Sequence, residues 1–148
     1  MLMRLQKIIL PVLVAAITIA SCTTKKEVLS EPVKDLNALW RIETVTRNTA
    51  DITPYIDSAS FRLMLAPDNT YTLQGNNIPF VVNAAAGTWS VDDPQYPYNI
   101  SFKPTDSTRS FSASITTPTT KGNRILSIKF SPGCPSNAYV YTFEKADQ

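Results

Sequence analysis

The most informative absence in this sequence is histidine, since none occurs among its 148 residues. Without imidazole the chain contains no Ser-His-Asp triad, no histidine general base and no His-containing zinc site. No nucleophile paired with a base and no phosphate-binding loop can be found either. We therefore expect that the protein is not an enzyme and needs no cofactor and no metal ion, because any catalysis would rest on scattered carboxylates.

Cysteine is scarce as well, with Cys22 and Cys134 as the only two. If Cys22 carries lipid, as argued below, Cys134 is the one remaining thiol, which excludes an intrachain disulfide and a cysteine metal cluster. A single thiol could pair with another chain. In a Pro-Gly-Cys-Pro loop it is more often a buried small hydrophobic residue, so we predict that Cys134 is tucked into the fold.

The strongest positive signal is the start of the chain. Arg4 and Lys7 introduce an apolar run of thirteen residues, 8–20, which ends in small side chains. A basic start, an apolar core of this length and a small-residue exit are typical of a secretory signal peptide. The run is shorter than the about 20 residues that a membrane-spanning helix needs. The sequence therefore predicts a signal peptide over residues 1–21.

The last residues of this segment, Ile19-Ala20-Ser21-Cys22, resemble the lipobox of bacterial lipoproteins, in which an aliphatic and two small residues precede a cysteine. The resemblance implies cleavage before Cys22 and fatty acyl chains on its sulfur and its new amino group. Several such chains would hold the protein on a membrane, at about 0.8 kcal/mol per buried methylene. The expected location is the cell envelope, lipid-anchored to the outer membrane on its periplasmic or surface face. The alternative is a secretory signal peptide that merely ends near a cysteine.

Charge argues against one class of partner. Cleavage after residue 21 would remove Arg4 and Lys7 and leave 127 residues with 12 basic and 12 acidic side chains. A neutral chain without a basic block offers little to a phosphate backbone, so no nucleic-acid partner is expected. Residues 22–37 are then the lipidated N-terminus and a flexible tether, with Pro32 opposing a helix.

From Ala38 onward the apolar residues alternate with a period of two, as in half-buried β-strands. Eight or nine such runs are each bounded by glycine, proline, asparagine or aspartate, and no amphipathic helix of useful length occurs. The predicted strands are 38–46, 61–65, 71–75, 80–82, 87–91, 98–102, 111–115, 125–130 and 139–143. This spacing predicts an all-β domain over residues 38–148, an antiparallel up-and-down β-barrel, with a β-sandwich as the alternative.

Two tryptophan-bearing strands resemble lipocalin-like domains, which begin with a Gly-x-Trp strand whose indole closes the barrel floor. Ala38-Leu39-Trp40 stands at that first-strand position, with alanine for the glycine, and Gly87-Thr88-Trp89 recurs in mid-domain. Residues 36–53 look like the opening of the small lipocalin-like lipoproteins of gut bacteria. The resemblance implies a cup for a small apolar or amphipathic ligand. In the family an arginine stacks on the floor tryptophan, and the nearest cation in the last strand here is Lys145.

Trp40 and Trp89 are the candidate floor of a ligand cavity, and Tyr98, Tyr139 and Tyr141 would add hydroxyls to its wall. The competing interpretation is that these rings fill the core, because eight strands leave barely enough room for side chains. A solid barrel would instead act through its outer surface, as a non-catalytic accessory or adhesion module that contacts envelope proteins or glycans.

Three short polar motifs are assigned to loops. Asp92-Asp93 before Pro94 is turn chemistry rather than a calcium site, because calcium takes six or more oxygens from spaced positions. Asp57-Ser58-Ala59 and Asp106-Ser107-Thr108 resemble the Asp-Ser/Thr-small sequon on which some gut bacteria attach O-glycans. Ser58 and Ser107 are therefore candidate glycosylation sites, in loops where a bulky glycan would fit.

Overall fold

The structure is a computed structural model that describes residues 32–75 and 78–146. The predicted signal peptide and Cys22 lie outside these residues, so both stay predictions. Within the described ranges, no helix combines the length and the apolar character needed to cross a membrane.

The described chain is a meander of antiparallel β-strands that closes on itself. The strands are β1 (Ala38–Arg47), β2 (Ala50–Asp51), β3 (Arg62–Leu65), β4 (Thr70–Gln74), β5 (Ala86–Val91), β6 (Asn99–Pro104), β7 (Phe111–Thr116), β8 (Thr119–Thr120), β9 (Asn123–Arg124), β10 (Leu126–Phe130) and β11 (Tyr139–Lys145). One 3-10 turn, Thr53–Tyr55, follows β2. The sheet order is β11-β10-β7-β6-β5-β4-β3-β1-β2, and β8 pairs only with β9.

Pairing of β1 with β11 turns this sheet into a closed barrel of eight strands, with β2 as one extra strand. The register places Trp40 opposite Lys145 at one end and Arg47 opposite Tyr139 at the other. A β-sandwich would divide the strands between two sheets that no ladder joins, so this continuous closed sheet decides between the two predicted architectures. The predicted all-β up-and-down barrel is confirmed.

The two ends of the barrel carry different connections. At the end where β1 starts lie residues 33–37, the turn 66–69, the loop 92–98 and the segment 117–125, and we call it the tether end. The opposite end, called the distal end, carries the loops 48–61, 78–85, 105–110 and 131–138. Both candidate glycosylation sites, Ser58 and Ser107, therefore lie at the distal end.

Along each strand, buried side chains that form the core alternate with side chains on the surface. In β4 Tyr71 and Leu73 are buried and their neighbours exposed, and in β6 Ile100 and Phe102 are buried. The buried set is apolar apart from three tyrosines, and it forms a single cluster. Removing this much apolar surface from water is the main stabilising contribution to a domain of this size.

The segment 78–85, between β4 and β5, fills the distal part of the barrel. Phe80 makes edge-to-face contacts with Phe61 and Tyr141, at ring-centroid distances of 5.3 and 5.4 Å. Its ring also lies 6.0–6.1 Å from Phe102, Phe130 and Phe143. The hydroxyl of Tyr141 donates a hydrogen bond to the backbone oxygen of Pro79, which fixes the segment from inside.

The prediction of a strand over residues 80–82 is therefore wrong, because 78–85 contains no strand. Phe80 to Val82 is apolar for a different reason: the segment lies against the core, with Ile78 and Val82 buried and Phe80 packed on aromatic rings from both sides of the barrel. A short apolar run has the same composition whether it pairs with neighbouring strands or fills a cavity.

The packed domain begins before β1, within the residues assigned to the tether. Leu36 is only 1% exposed, and its backbone oxygen accepts a hydrogen bond of 2.9 Å from Nε1 of Trp40. The backbone N–H of Lys34 donates to the backbone oxygen of Pro94 over 2.9 Å. Residues 33–37 thus cross the tether end of the barrel, and any tether must end before them.

Gly87 of β5 occupies a position where only glycine fits. A Cβ atom there would overlap the backbone oxygen of Lys103 on the paired strand and lie 2.8 Å from Cε1 of Tyr71. Because the first obstacle is backbone, we expect Gly87→Ala to lower the free energy of unfolding by about 2–3 kcal/mol in urea melts. Gly122→Ala is the matched control, since open space surrounds Gly122 and only its φ of +82° opposes alanine, which costs about 1 kcal/mol. Equal losses in both variants would contradict the overlap.

Candidate functional site

Trp40 closes the tether end of the barrel from inside. Its side chain is fully buried, and Nζ of Lys145 lies 5.7 Å from the centroid of its ring. The register explains this contact, since Trp40 and Lys145 are directly opposite each other on β1 and β11. A cation over an indole face is attracted by the ring quadrupole. Lys145 thus occupies the place in which the lipocalin resemblance expects an arginine.

Trp89 of β5 lies at the same end but closer to the surface, with 8% of its area exposed. Its Nε1 donates a hydrogen bond of 3.3 Å to the backbone oxygen of Ala66, and its backbone N–H donates to the backbone oxygen of Asn69 over 2.8 Å. The tight turn between β3 and β4 therefore holds the indole. The left-handed φ of Asn69, +63°, shapes that turn, as the Pro67-Asp68-Asn69 sequence predicts.

The three candidate tyrosines do not share one wall. Tyr139 and Tyr141 are buried, and both stack on Phe130 at a ring-centroid distance of 5.6 Å. Burial, together with the neighbouring phenol of Tyr139, raises the pKa of Tyr141 well above its usual range. Tyr98 is 74% exposed on the loop before β6, and its backbone oxygen accepts a hydrogen bond of 2.8 Å from the N–H of the core residue Ile115. The structure thus brings Trp40, Tyr139 and Tyr141 together as core and leaves Tyr98 on the surface.

A groove of about 470 Å³ opens at the tether end, and we call it the tether-end groove. Trp89 and Val91 of β5 lie along it, and residues 33–37 form part of its wall. Its lining consists of Val33, Lys34, Asp35, Leu36, Asn37, Pro67, Asn69, Trp89, Ser90, Val91 and Pro94. Two further concavities, of about 330 and 300 Å³, contain neither tryptophan and neither buried candidate tyrosine.

Of the five residues predicted to form a ligand site, Trp89 alone lines this groove. The other lining residues come from the segment 33–37, the turn 66–69, and the end of β5 with the loop after it, three regions that lie far apart in the sequence. Local periodicity carries no information on which loops meet at a barrel end. The one available signal was the pair of apolar side chains, Val33 and Leu36, just before the first strand.

The loop 92–98, which supplies Pro94 to the groove, is organised by two carboxylates. Oδ1 of Asp92 accepts hydrogen bonds from the backbone N–H groups of Asp93, Tyr98 and Asn99, all at 3.0 Å. Oδ2 accepts from Nδ2 of Asn99 over 2.9 Å. Asp93 accepts from the backbone N–H groups of Gln95 and Tyr96. The prediction that this pair serves a turn is confirmed.

These hydrogen bonds make the loop sensitive to acid. The backbone N–H of Asn99 is the main cause that lowers the pKa of Asp92 to about 2, from an ordinary value of 3.8. Because the folded-state pKa is depressed, the stabilisation is complete above about pH 4 and is lost as the pH falls toward 2. We expect the backbone amide NMR signals of Tyr98 and Asn99 to titrate with a midpoint near pH 2.

Asp92→Asn should abolish this titration, because the amide does not ionise in that range. Asp106→Asn is the matched control: the carboxyl lies at the distal end of the barrel, so its removal should leave the titration of Tyr98 and Asn99 unchanged. A midpoint near pH 4 in the unsubstituted protein would contradict the structural role given to Asp92.

Cys134 is exposed, so the prediction that it is tucked into the fold is wrong. It lies in the loop between β10 and β11, where its Sγ is 3.0 Å from Oγ of Ser136. That hydrogen bond is the main cause that lowers the pKa of the thiol. The two prolines beside Cys134 fix the loop but do not direct its side chain inward.

No group of three or more His, Cys, Asp or Glu side chains in residues 32–75 and 78–146 could hold a metal ion.

Comparison with known proteins identifies a family for this chain. Neither the curated proteins nor the solved structures include a significant match to the chain. A family model described as a domain of unknown function, DUF5004, matches residues 19–144, which is most of the sequence and covers the barrel except for Lys145, the last residue of β11. The closed eight-stranded barrel is consistent with a lipocalin-like fold, and the chain belongs to the DUF5004 family.

Proposed function

We propose that this protein is a lipid-anchored lipoprotein of the cell envelope that binds a small apolar or amphipathic ligand in the tether-end groove. The observation that carries the proposal is the groove itself, about 470 Å³ with Trp89 in its lining. That volume lies within the range of small-molecule sites, about 300–1,000 Å³. The barrel interior is a weaker candidate, because Phe80 and the rings around it occupy the space that a cup would leave open.

The chemistry of the groove suits an amphipathic molecule. Trp89, Val91 and Pro67 supply apolar surface on the side of the barrel, and the exposed Val33 supplies it on the side of the N-terminal segment. Polar groups of Lys34, Asp35 and Asn69 also line the groove. A mostly apolar wall with a few polar groups provides affinity through burial and fixes the orientation of a ligand through its head group.

The predicted anchor would keep the groove close to a lipid surface. Only ten residues lie between Cys22 and Val33, and the eleven Cα–Cα steps that join them span at most about 40 Å when fully extended. An acylated Cys22 would therefore confine the groove to the neighbourhood of the membrane, where amphipathic molecules concentrate.

The ligand site is tested with a variant that fills the groove. Ser90 is exposed and lines the groove, so Ser90→Trp should occupy the space without removing any core residue. Thr72→Trp is the matched control, on the exposed face of β4 and outside the groove lining. The probe is 1-octanol, a neutral amphiphile, followed through the NMR shift of the Trp89 indole N–H in the purified full-length protein.

We expect a saturable shift whose affinity falls at least tenfold in Ser90→Trp and is unchanged in Thr72→Trp. Equal affinity in all three proteins would place the ligand outside the groove. Native mass spectrometry of protein purified from the envelope supplies a second readout, and absence of any retained small molecule there would also count against the proposal.

The anchor is tested separately. Replacing Cys22 by alanine removes the proposed acylation site, so a lipoprotein-specific peptidase should leave the signal peptide uncleaved, and the larger precursor should accumulate without acyl chains. Persistence of the variant in the detergent phase at the size of the parent protein would show that residues other than Cys22 hold the membrane.

An accessory or adhesion role is the second candidate, and exposed tyrosines favour it. Tyr55, Tyr96 and Tyr98 are the largest exposed aromatic side chains in the described residues, and aromatic surface of this kind is enriched at interfaces with proteins. Tyr96→Ser together with Tyr98→Ser should then weaken binding to an envelope protein or glycan while leaving octanol binding unchanged. In either role we propose that the protein is not an enzyme.

A further inference from the structure

A concavity of about 300 Å³ is lined by residues of the β8–β9 hairpin, β1 and β11, and we call it the hairpin pocket. The hairpin has a two-residue turn, Lys121 and Gly122, with φ of +50° and +82°. Positive φ at both central residues is the tight turn that suits a twisted hairpin. It sets Lys121 at the tip and Asn123 and Arg124 on the returning strand, and all three line the pocket.

Cationic side chains outnumber carboxylates in the lining of the hairpin pocket. Lys121, Arg124 and Lys145 line it, and none of them forms an ion pair within the part of the chain that the structure describes. Two carboxylates, Glu43 and Glu144, also line it. Glu144 is already paired, with its Oε1 3.1 Å from Nη2 of Arg41, which leaves Glu43 as the single carboxylate set against three cations.

Arg124 supplies the most specific observation. Its Nη1 atom is shielded from solvent yet has no hydrogen-bond partner among the described residues. A buried guanidinium N–H without an acceptor costs free energy comparable to a lost charged hydrogen bond, so proteins seldom leave one unmatched. Arg124 also lines the hairpin pocket, and a planar guanidinium held there suits carboxylate and phosphate oxygens.

The neighbouring groups are suited to the same ligand. Asn123 can donate from its side-chain amide, and Lys145 contributes an ammonium group that its contact with Trp40 holds near the end of β11. The ladder between β1 and β11 passes from the pair Ile42–Phe143 to the pair Thr44–Thr142, so Glu43 is an extra residue in a bulge. A bulge redirects side chains and interrupts the regular surface of the strand.

We propose that the hairpin pocket is a binding site for a small oxyanion group, a phosphate or carboxylate, held by Arg124, Lys121 and Lys145. The site is separate from the tether-end groove, with which it shares no lining residue. The oxyanion can belong to a free solute or to an acidic lipid head group, since both present the same oxygens to the guanidinium.

The test is an NMR titration of the purified full-length protein with inorganic phosphate, compared with chloride at equal ionic strength. We expect saturable shifts of the Arg124 Nε–H signal and of the backbone amides of Lys121 and Gly122 that chloride does not reproduce. Arg124→Gln and Lys121→Gln should each weaken phosphate binding at least tenfold. Lys103→Gln, an exposed cation of β6 outside the pocket, is the control and should leave binding unchanged.

Dihexanoyl phosphatidic acid, kept below its micelle concentration, distinguishes the two sources. Tighter binding than inorganic phosphate identifies a lipid head group, and equal or weaker binding identifies a free anion.

The proposal is overturned if neither probe gives a saturable shift or if both pocket variants bind as the parent does. Lys121 is at the exposed tip of the hairpin, so its variant keeps the fold intact and the result interpretable. Ser90→Trp should not affect phosphate binding, which separates this outcome from that of the groove.

Discussion

Replacing Trp40 by alanine is expected to lower the free energy of unfolding by about 3–5 kcal/mol. The indole is fully buried between the barrel core and the segment 33–37, so its loss leaves a cavity at the tether end. The substitution also removes the 2.9 Å hydrogen bond to the backbone oxygen of Leu36 and the face on which Nζ of Lys145 rests. Urea melts followed by fluorescence of Trp89 and by far-UV circular dichroism measure the loss.

Two further variants divide this loss into its parts. Trp40→Phe keeps much of the apolar volume but not the N–H donor, and should cost less than alanine. Lys145→Met removes the cation alone, and should cost about 0.5–1 kcal/mol. Truncation of an aromatic residue in a core costs several kcal/mol. If Trp40→Ala lowers the free energy of unfolding by less than about 1 kcal/mol, the indole does not lie in the core.

Replacing Phe80 by alanine is expected to cost about 3 kcal/mol and to hollow out the distal part of the barrel. Five aromatic rings lie within 6.1 Å of the Phe80 ring, counted between centroids, and they come from strands on different sides of the barrel or from their flanks. Because the new space is lined mainly by apolar rings it should accept xenon, which the parent protein should not bind there.

Phe111→Ala is the control for this variant, because Phe111 is 41% exposed at the start of β7 and its loss should cost less than 1 kcal/mol. Xenon is followed through the NMR shifts of the methyl groups of Leu63 and Ile128. If Phe80→Ala binds no xenon and melts at nearly the parent urea concentration, the segment 78–85 does not fill the barrel in solution.

The strands were predictable because one face of each is buried. Tyr71 and Leu73, like Ile100 and Phe102, occupy every second position, and a period of two is legible in a single sequence. The turn between β3 and β4 was predictable for a different reason, since Pro67 and Asn69 have backbone preferences of their own. Closure of the barrel was predictable only from the number and spacing of the strands. A β-sandwich can have the same number and spacing, so the sequence could not decide between the two.

The site was much less predictable than the fold. Trp89 was named, but Val33 and Pro94 meet it through contacts between loops that no local pattern encodes. Phe80 is a similar case. Its apolar side chain indicates contact with the core, but the sequence does not tell whether the residue reaches the core from a strand or from a segment inside the barrel. Arg124 gave no signal at all, because an unmatched guanidinium nitrogen is a property of three-dimensional packing.

The pairing of β1 with β11 also determines the order in which the molecule can be assembled. β1 is the first strand to be synthesised, and seven residues of its ladder find their partners only in the last strand. Until Tyr139–Lys145 has been made, one long side of β1 remains an open edge with unpaired N–H and C=O groups, the kind of edge that recruits other chains. Bringing the two termini of the barrel together is its longest-range contact, and such contacts form slowly. A chain that ends before β11 would therefore be an aggregation-prone open sheet rather than a smaller barrel.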